Sequence, residues 1–129
     1  MVEIVNETKG FVISGDAQMR DTMEGRRRGL MGSERKDIIL AVSGHNRLFP
    51  MIHMFGMRYP IDVVWVDREM RVVDVRRGIV PSRLSKPRTW THMPRAPAKY
   101  VVEIALGQVK DTEIGDRLAF RPQAPKPTS

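Results

Sequence analysis

The sequence predicts a mainly β domain: an antiparallel β-sandwich or partly closed, jelly-roll-like barrel with one short helix. Three observations carry that reading. Apolar runs of strand length recur along the chain, and the strongest of them is rich in β-branched residues. Ten Gly and nine Pro punctuate those runs. One stretch alone carries both a helix-start and a helix-stop signal.

Each element has a local reason. Val2–Val5 and Phe11–Ser14 are apolar runs on either side of Asn6-Glu7-Thr8-Lys9-Gly10, whose Asn and Gly suit a turn. Gly15-Asp16 closes the second run. Asp21 caps a short helix over Asp21–Arg28, with Glu24 at the capping-box position. Arg26, Arg27 and Arg28 oppose the helix dipole in its last turn, and Gly29 stops it. Ile38 to Val42 are five apolar residues in a row, the pattern of a strand buried on both faces. Gly44-His45-Asn46-Arg47 reads as a loop. Met51–Met57 is extended, and Pro60 must begin or edge the next strand, having no N–H to give. Ile61–Val66 and Met70–Arg76 form a hairpin about Asp67-Arg68-Glu69. Residues 78–97 read as a long loop, because four prolines exclude a helix or a central strand. Lys99–Leu106 is a core strand with Tyr100, Val102 and Ile104 on one face and Val101, Glu103 and Ala105 on the other. Arg117–Arg121 is a last short strand after a turn at Glu113–Asp116. The organisation is one β domain over 1–121 and a flexible, Pro-rich tail over 122–129. The run Met51–Asp67 is expected to be a buried crossing of the fold and one wall of the site.

Composition bounds the function. A chain of 129 residues with 41% hydrophobic content can bury a core as a single domain. It has no Cys, which excludes disulfides, thiolate metal sites and thiol catalysis. No segment approaches the roughly 20 apolar residues of a membrane helix, and no basic-then-apolar leader is visible, so a cytoplasmic protein without a membrane partner is expected. Net charge is +7, from 22 Lys and Arg against 15 Asp and Glu. Seven basic residues and no acidic one lie between Val75 and Val102, and an excess of this kind draws anionic partners.

Several separate groups of residues match one known family in order. They are Arg28-Gly29-Leu30-Met31, then Met54 with Pro60-Ile61-Asp62, Val72-Val73, Pro81, Tyr100-Val101-Val102-Glu103 with Gly107, and Gly115-Asp116. The chain resembles the prokaryotic family called domain of unknown function 192, from about Phe11 to Phe120. The resemblance implies a compact β fold of jelly-roll or sandwich type with a small helix. It implies no established activity. Bacterial relatives often show Trp-Met-Lys-Asn-Thr where this chain has His53-Met54-Phe55-Gly56-Met57. Only Met54 is kept, so a ligand held by that Asn and Thr is not held here by the same groups.

Candidate site residues divide by chemistry. Asp62 opens an apolar strand, where a bare carboxylate is costly. It either accepts backbone amides in the turn after Pro60 or serves as a polar anchor or general base. Glu103 lies in a core strand and either pairs with an arginine such as Arg28 or Arg58, or faces Asp62 across a cleft. His53 with Met51, Met54 and Met57 has the composition of a soft-metal cluster, but alternation sends Met54 to the other face, and Met is an ordinary core filler. No metal and no cofactor are expected. There is no phosphate-cradling Gly loop, Gly-x-Ser-x-Gly elbow or His-Glu-x-x-His.

The leading expectation is a non-enzymatic binding or accessory domain, monomeric or weakly self-associating, for a small or anionic ligand. Its binding residues are Met54, Met57, Asp62, Glu103, His53 and Arg28. One alternative is a hydrolase-like enzyme working through Asp62 and Glu103. The other is a nucleic-acid module using Arg76, Arg77, Arg83, Lys86 and Arg88.

Overall fold

A computed structural model describes residues 2–20, 37–46, 52–53, 60–79, 91–92 and 94–122. Nine strands account for most of them: β1 (Val2–Asn6), β2 (Phe11–Arg20), β3 (Asp37–Asn46), β4 (Ile52–His53), β5 (Ile61–Val66), β6 (Val72–Ile79), β7 (Thr91–His92), β8 (Ala98–Ala105) and β9 (Leu118–Pro122). Seven form one sheet in the order β6-β5-β8-β3-β2-β1-β9, and β4 with β7 forms a separate two-stranded ribbon. All pairings are antiparallel except β2 with β3. The 16 residues 21–36 between those two strands are long enough for the crossover that a parallel pair needs. The expected helix at Asp21–Arg28 falls in that stretch, outside the described residues.

The sheet curls until its two edge strands meet. Arg71 bridges Arg117 in antiparallel register. Leu118 N–H donates to Met70 C=O at 2.9 Å, and Val72 N–H donates to Asp116 C=O at 2.8 Å. The expected sandwich or partly closed barrel is therefore a curled sheet whose seam is sewn at one end. Closure of this kind satisfies edge groups that would otherwise template aggregation.

Curling gives the sheet an enclosed face and an outer face. Ile4, Ile39, Val64, Val102, Ile104 and Leu118 fill the enclosed face, and Ile38, Leu40, Ile61, Val63, Trp65 and Val101 are buried on the outer one. Every residue of β5 is buried, because it sits between β6 and β8 with both faces covered. Burying one such Val or Ile side chain contributes about 1.5–3 kcal/mol. The alternation expected for Lys99–Leu106 is found in β8: Tyr100, Val102 and Ile104 belong to the enclosed face, Val101 to the outer one.

The predicted β5–β6 hairpin is present, with Asp67 fixing its turn by accepting the amides of Glu69 and Arg71 at 2.9 and 3.0 Å. Three expected boundaries move. Gly15-Asp16 does not end β2, because a register shift between Val2/Ala17 and Ile4/Ser14 absorbs them as a bulge. Residues 44–46 are not a loop, since β3 continues to Asn46, which pairs Ala98 beyond an irregularity. The 78–97 stretch is not free of strands: β6 runs to Ile79, and Thr91–His92 pairs with β4.

Candidate functional site

Four aspartates, Asp62, Asp116, Asp37 and Asp74, anchor the described structure, and each is engaged by groups that the fold brings to it. Asp62 is 1% exposed and lies opposite Ile104 on β8. Its Oδ1 accepts the Gly78 amide at 2.9 Å, and its Oδ2 accepts the Gly107 amide at 2.8 Å. Both glycines are left-handed, with φ of 67° and 89°. The carboxylate thus ties the end of β6 and the turn after β8 to β5. Backbone amides do bond Asp62, but they come from 16 and 45 residues away, not from the turn after Pro60.

Glu103 stands opposite Val63 and Ile38, two residues of the outer face. Asp62 stands opposite Ile104, on the enclosed face. Directly opposed residues share a face and neighbours along a strand do not. The two carboxylates therefore point to opposite sides of the sheet, and the structure does not bring them together as an acid–base pair.

Asp116 collects three donors on one oxygen: Asn6 Nδ2 at 2.9 Å, Lys9 Nζ at 2.7 Å and the Glu113 amide at 2.9 Å. Burial pushes this carboxyl up, but the hydrogen bonds from Lys9, Asn6 and the Glu113 amide outweigh it and hold the group below its ordinary value. The hydrogen bond to Asp116 in turn raises Lys9, against the smaller opposing effect of burial. Asp37 accepts from the Ser14 hydroxyl, from Gln108 Nε2 at 3.1 Å and from the Ala105 amide at 3.2 Å. Asn6, Ser14 and Thr112 are buried with these acids. Both clusters fasten the first hairpin to the loop that precedes β9.

Asp74 differs in what it holds. It is 2% exposed on the outer face, opposite Trp65. Its oxygens accept the amides of Val75 at 2.9 Å and Arg95 at 3.1 Å. They also face Arg95 Nε at 3.4 Å and Arg76 Nε at 4.0 Å. The Arg76 guanidinium lies 5.8 Å from the centroid of Trp65, over its ring. The two guanidinium side chains remain 44% and 67% exposed, for Arg76 and Arg95 respectively. Arg77 is placed otherwise: its Nη2 donates to the carbonyls of Lys110 and Thr112 at 3.1 and 2.8 Å.

Of the remaining candidates, His53 lies in β4, where it pairs Thr91 next to the Ile52–His92 pair. Arg28, Met54, Met57, Arg83, Lys86 and Arg88 lie outside the described residues. Asp74 and Arg95 were not singled out from the sequence. A carboxylate inside Val72-Val73-Asp74-Val75 is the signal that could have found Asp74, since an acid among valines needs partners. Among the described residues no three side chains of metal-binding type come together, and no helix is long and apolar enough to cross a membrane.

A curled, seam-closed β domain with an arginine-bearing outer face is the class that fold and site define. Residues 4–120 match the profile of DUF192, described as "Uncharacterized ACR", and the chain belongs to that family. It is 37% identical over 122 residues to a UPF0127 protein of Thermococcus gammatolerans, covering 91% of this chain and 74% of the relative. A UPF0127 protein of Thermococcus sibiricus is 33% identical over 120 residues, covering 89% and 72%. In structure the chain is similar to a candidate transcription regulator from Sinorhizobium meliloti, with a TM-score of 0.76 at 19% identity, covering 92% of this chain and 91% of that one. At that identity the likeness concerns the fold alone.

Proposed function

We propose that this chain is a non-enzymatic binding domain that takes a small anionic ligand on its outer face, at Arg76 and Arg95. One observation carries the reading: a buried acid, Asp74, faces the Nε atoms of two arginines whose side chains remain well exposed. The buried acid holds both guanidinium groups beside it while their side chains stay well exposed, which lowers the entropy cost of gripping an anion. Two arginines against one acid leave a net positive charge, within a stretch where seven basic residues meet no acidic one. Forked guanidinium groups match carboxylate and phosphate oxygens.

The hydrolase reading loses support because Asp62 accepts two backbone amides and Glu103 faces the other way. The nucleic-acid reading shares Arg76 with this site. It gains no base-stacking surface from Trp65, which is fully buried, and Arg77 is engaged with carbonyl oxygens.

Calorimetric titration at low salt tests the proposal, with inorganic tripolyphosphate and a short single-stranded RNA as probes. The expected result is saturable tripolyphosphate binding, weakened about tenfold or more in R76A/R95A by loss of charge-assisted bonds and unchanged in the exposed-charge control R68A. Binding unaffected by the double variant would contradict the proposal. RNA binding tighter than tripolyphosphate, falling steeply with salt, would instead favour the nucleic-acid module.

A further inference from the structure

The seam between β6 and β9 is sewn only at one end. Beyond Leu118 the described residues of β9 have β1 on one side and no strand on the other. A recess of about 410 Å³ opens there, lined by Met70, Tyr100, Leu118 and Phe120, with Glu7 and Arg117 on its rim. That volume is within the range of small-molecule sites, roughly 300–1,000 Å³. Its floor is made of apolar side chains that pack on the core. Leu118 is buried, while Met70, Tyr100 and Phe120 pack on the enclosed core. Tyr100 and Phe120 meet edge to face, with ring centroids 5.2 Å apart.

The rim has more positive than negative charge. Glu7 Oε2 is 3.2 Å from Arg121 Nη2, and Glu7 Oε1 is 3.8 Å from Arg117 Nε. One carboxylate is thus shared by two guanidinium groups, both more than half exposed. If Arg117 turned to an incoming anion, Glu7 would keep Arg121, so the exchange strands no charge.

We infer that this recess binds a small organic acid with an apolar body, the body against Met70, Tyr100 and Phe120 and the carboxylate on Arg117. The site is on the opposite face of the sheet from Asp74 and stands independently of the outer-face reading. The fold of the curled sheet supplies it, because incomplete closure leaves apolar side chains of the enclosed face accessible beside a basic edge.

The experiment is an amide NMR titration of the whole chain with 3-phenylpropionate, 3-phenylpropanol and propionate. The expected result is saturation by 3-phenylpropionate, with shifts centred on Tyr100, Leu118 and Phe120. The neutral alcohol and the truncated acid should each bind at least tenfold more weakly. R117Q should weaken the acid about tenfold and leave the alcohol unchanged, a split that a merely structural role would not produce. Phe120→Ala, which removes part of the apolar floor at a half-buried position, should weaken the acid and the alcohol alike while shifts elsewhere keep their native pattern. R76A/R95A should bind as wild type. No saturation by the acid, equal binding of acid and alcohol, or shifts centred on Asp74 and Arg95 would overturn the assignment.

Discussion

At the scale of single residues, the buried acids explain themselves through the donors that surround them. Asp62 holds two amides that only left-handed glycines place there, so removing either side of the contact should be felt. Asp62→Ala should destabilise the protein by about 2–5 kcal/mol, because two buried amides lose their acceptor. Gly107→Ala should cost roughly 1–2 kcal/mol. A Cβ at Gly107 meets nothing within 4 Å, so that cost is backbone conformation alone. Urea unfolding measures both. Asp116 gives a pH dependence. Its folded carboxyl titrates below the ordinary 3.8, so its contribution is present above that value and is lost as pH falls through it. Stability should therefore drop on acidification below about pH 4, and D116N should flatten that drop. Residue-scale legibility was uneven. Asp62 stood out in the sequence because an acid opening a valine-rich strand demands partners. Its donors did not, because glycines 16 and 45 residues distant reach it only through the strand register.

At the scale of elements, periodicity told most where burial is simple. β5, β6 and β8 follow their apolar runs closely, and the two-faced burial of β3 follows from five consecutive apolar residues. What the sequence concealed depends on pairing. The bulge that carries β2 past Gly15-Asp16 is visible only against Val2 and Ile4 of β1. The parallel alignment of β2 and β3 reflects a crossover, and antiparallel reasoning from adjacent runs misses it. Hydrogen exchange should rank the elements accordingly. Amides of β5 and the middle of β8 should exchange only with global unfolding, since both strands are internal to the sheet and buried. Amides of β9 beyond Leu118 should exchange by local opening. Protection in β9 equal to that in β5 would mean that the seam is closed along its length.

On the scale of the whole molecule, curling decides which residues can act together. Strand alternation puts Asp62 and Glu103, near neighbours in the sheet, on opposite faces, and curling keeps those faces apart. Curling also gathers Asp74, Arg76 and Arg95 from the hairpin and from the approach to β8 onto the outer face. The positive charge of that region was legible as a run of basic residues. Its organisation around one buried acid was not, because Asp74 and Arg95 are 21 residues apart and meet only after β6 and β8 flank β5. The most direct measurement is an amide NMR shift map during titration with tripolyphosphate. The expected result is a saturable set of shifts at Val75, Arg76 and Arg95, with Gly78 and Gly107 unmoved. Shifts centred on Gly78 and Gly107, around Asp62, or no saturable shifts at all, would contradict an anion site on the outer face.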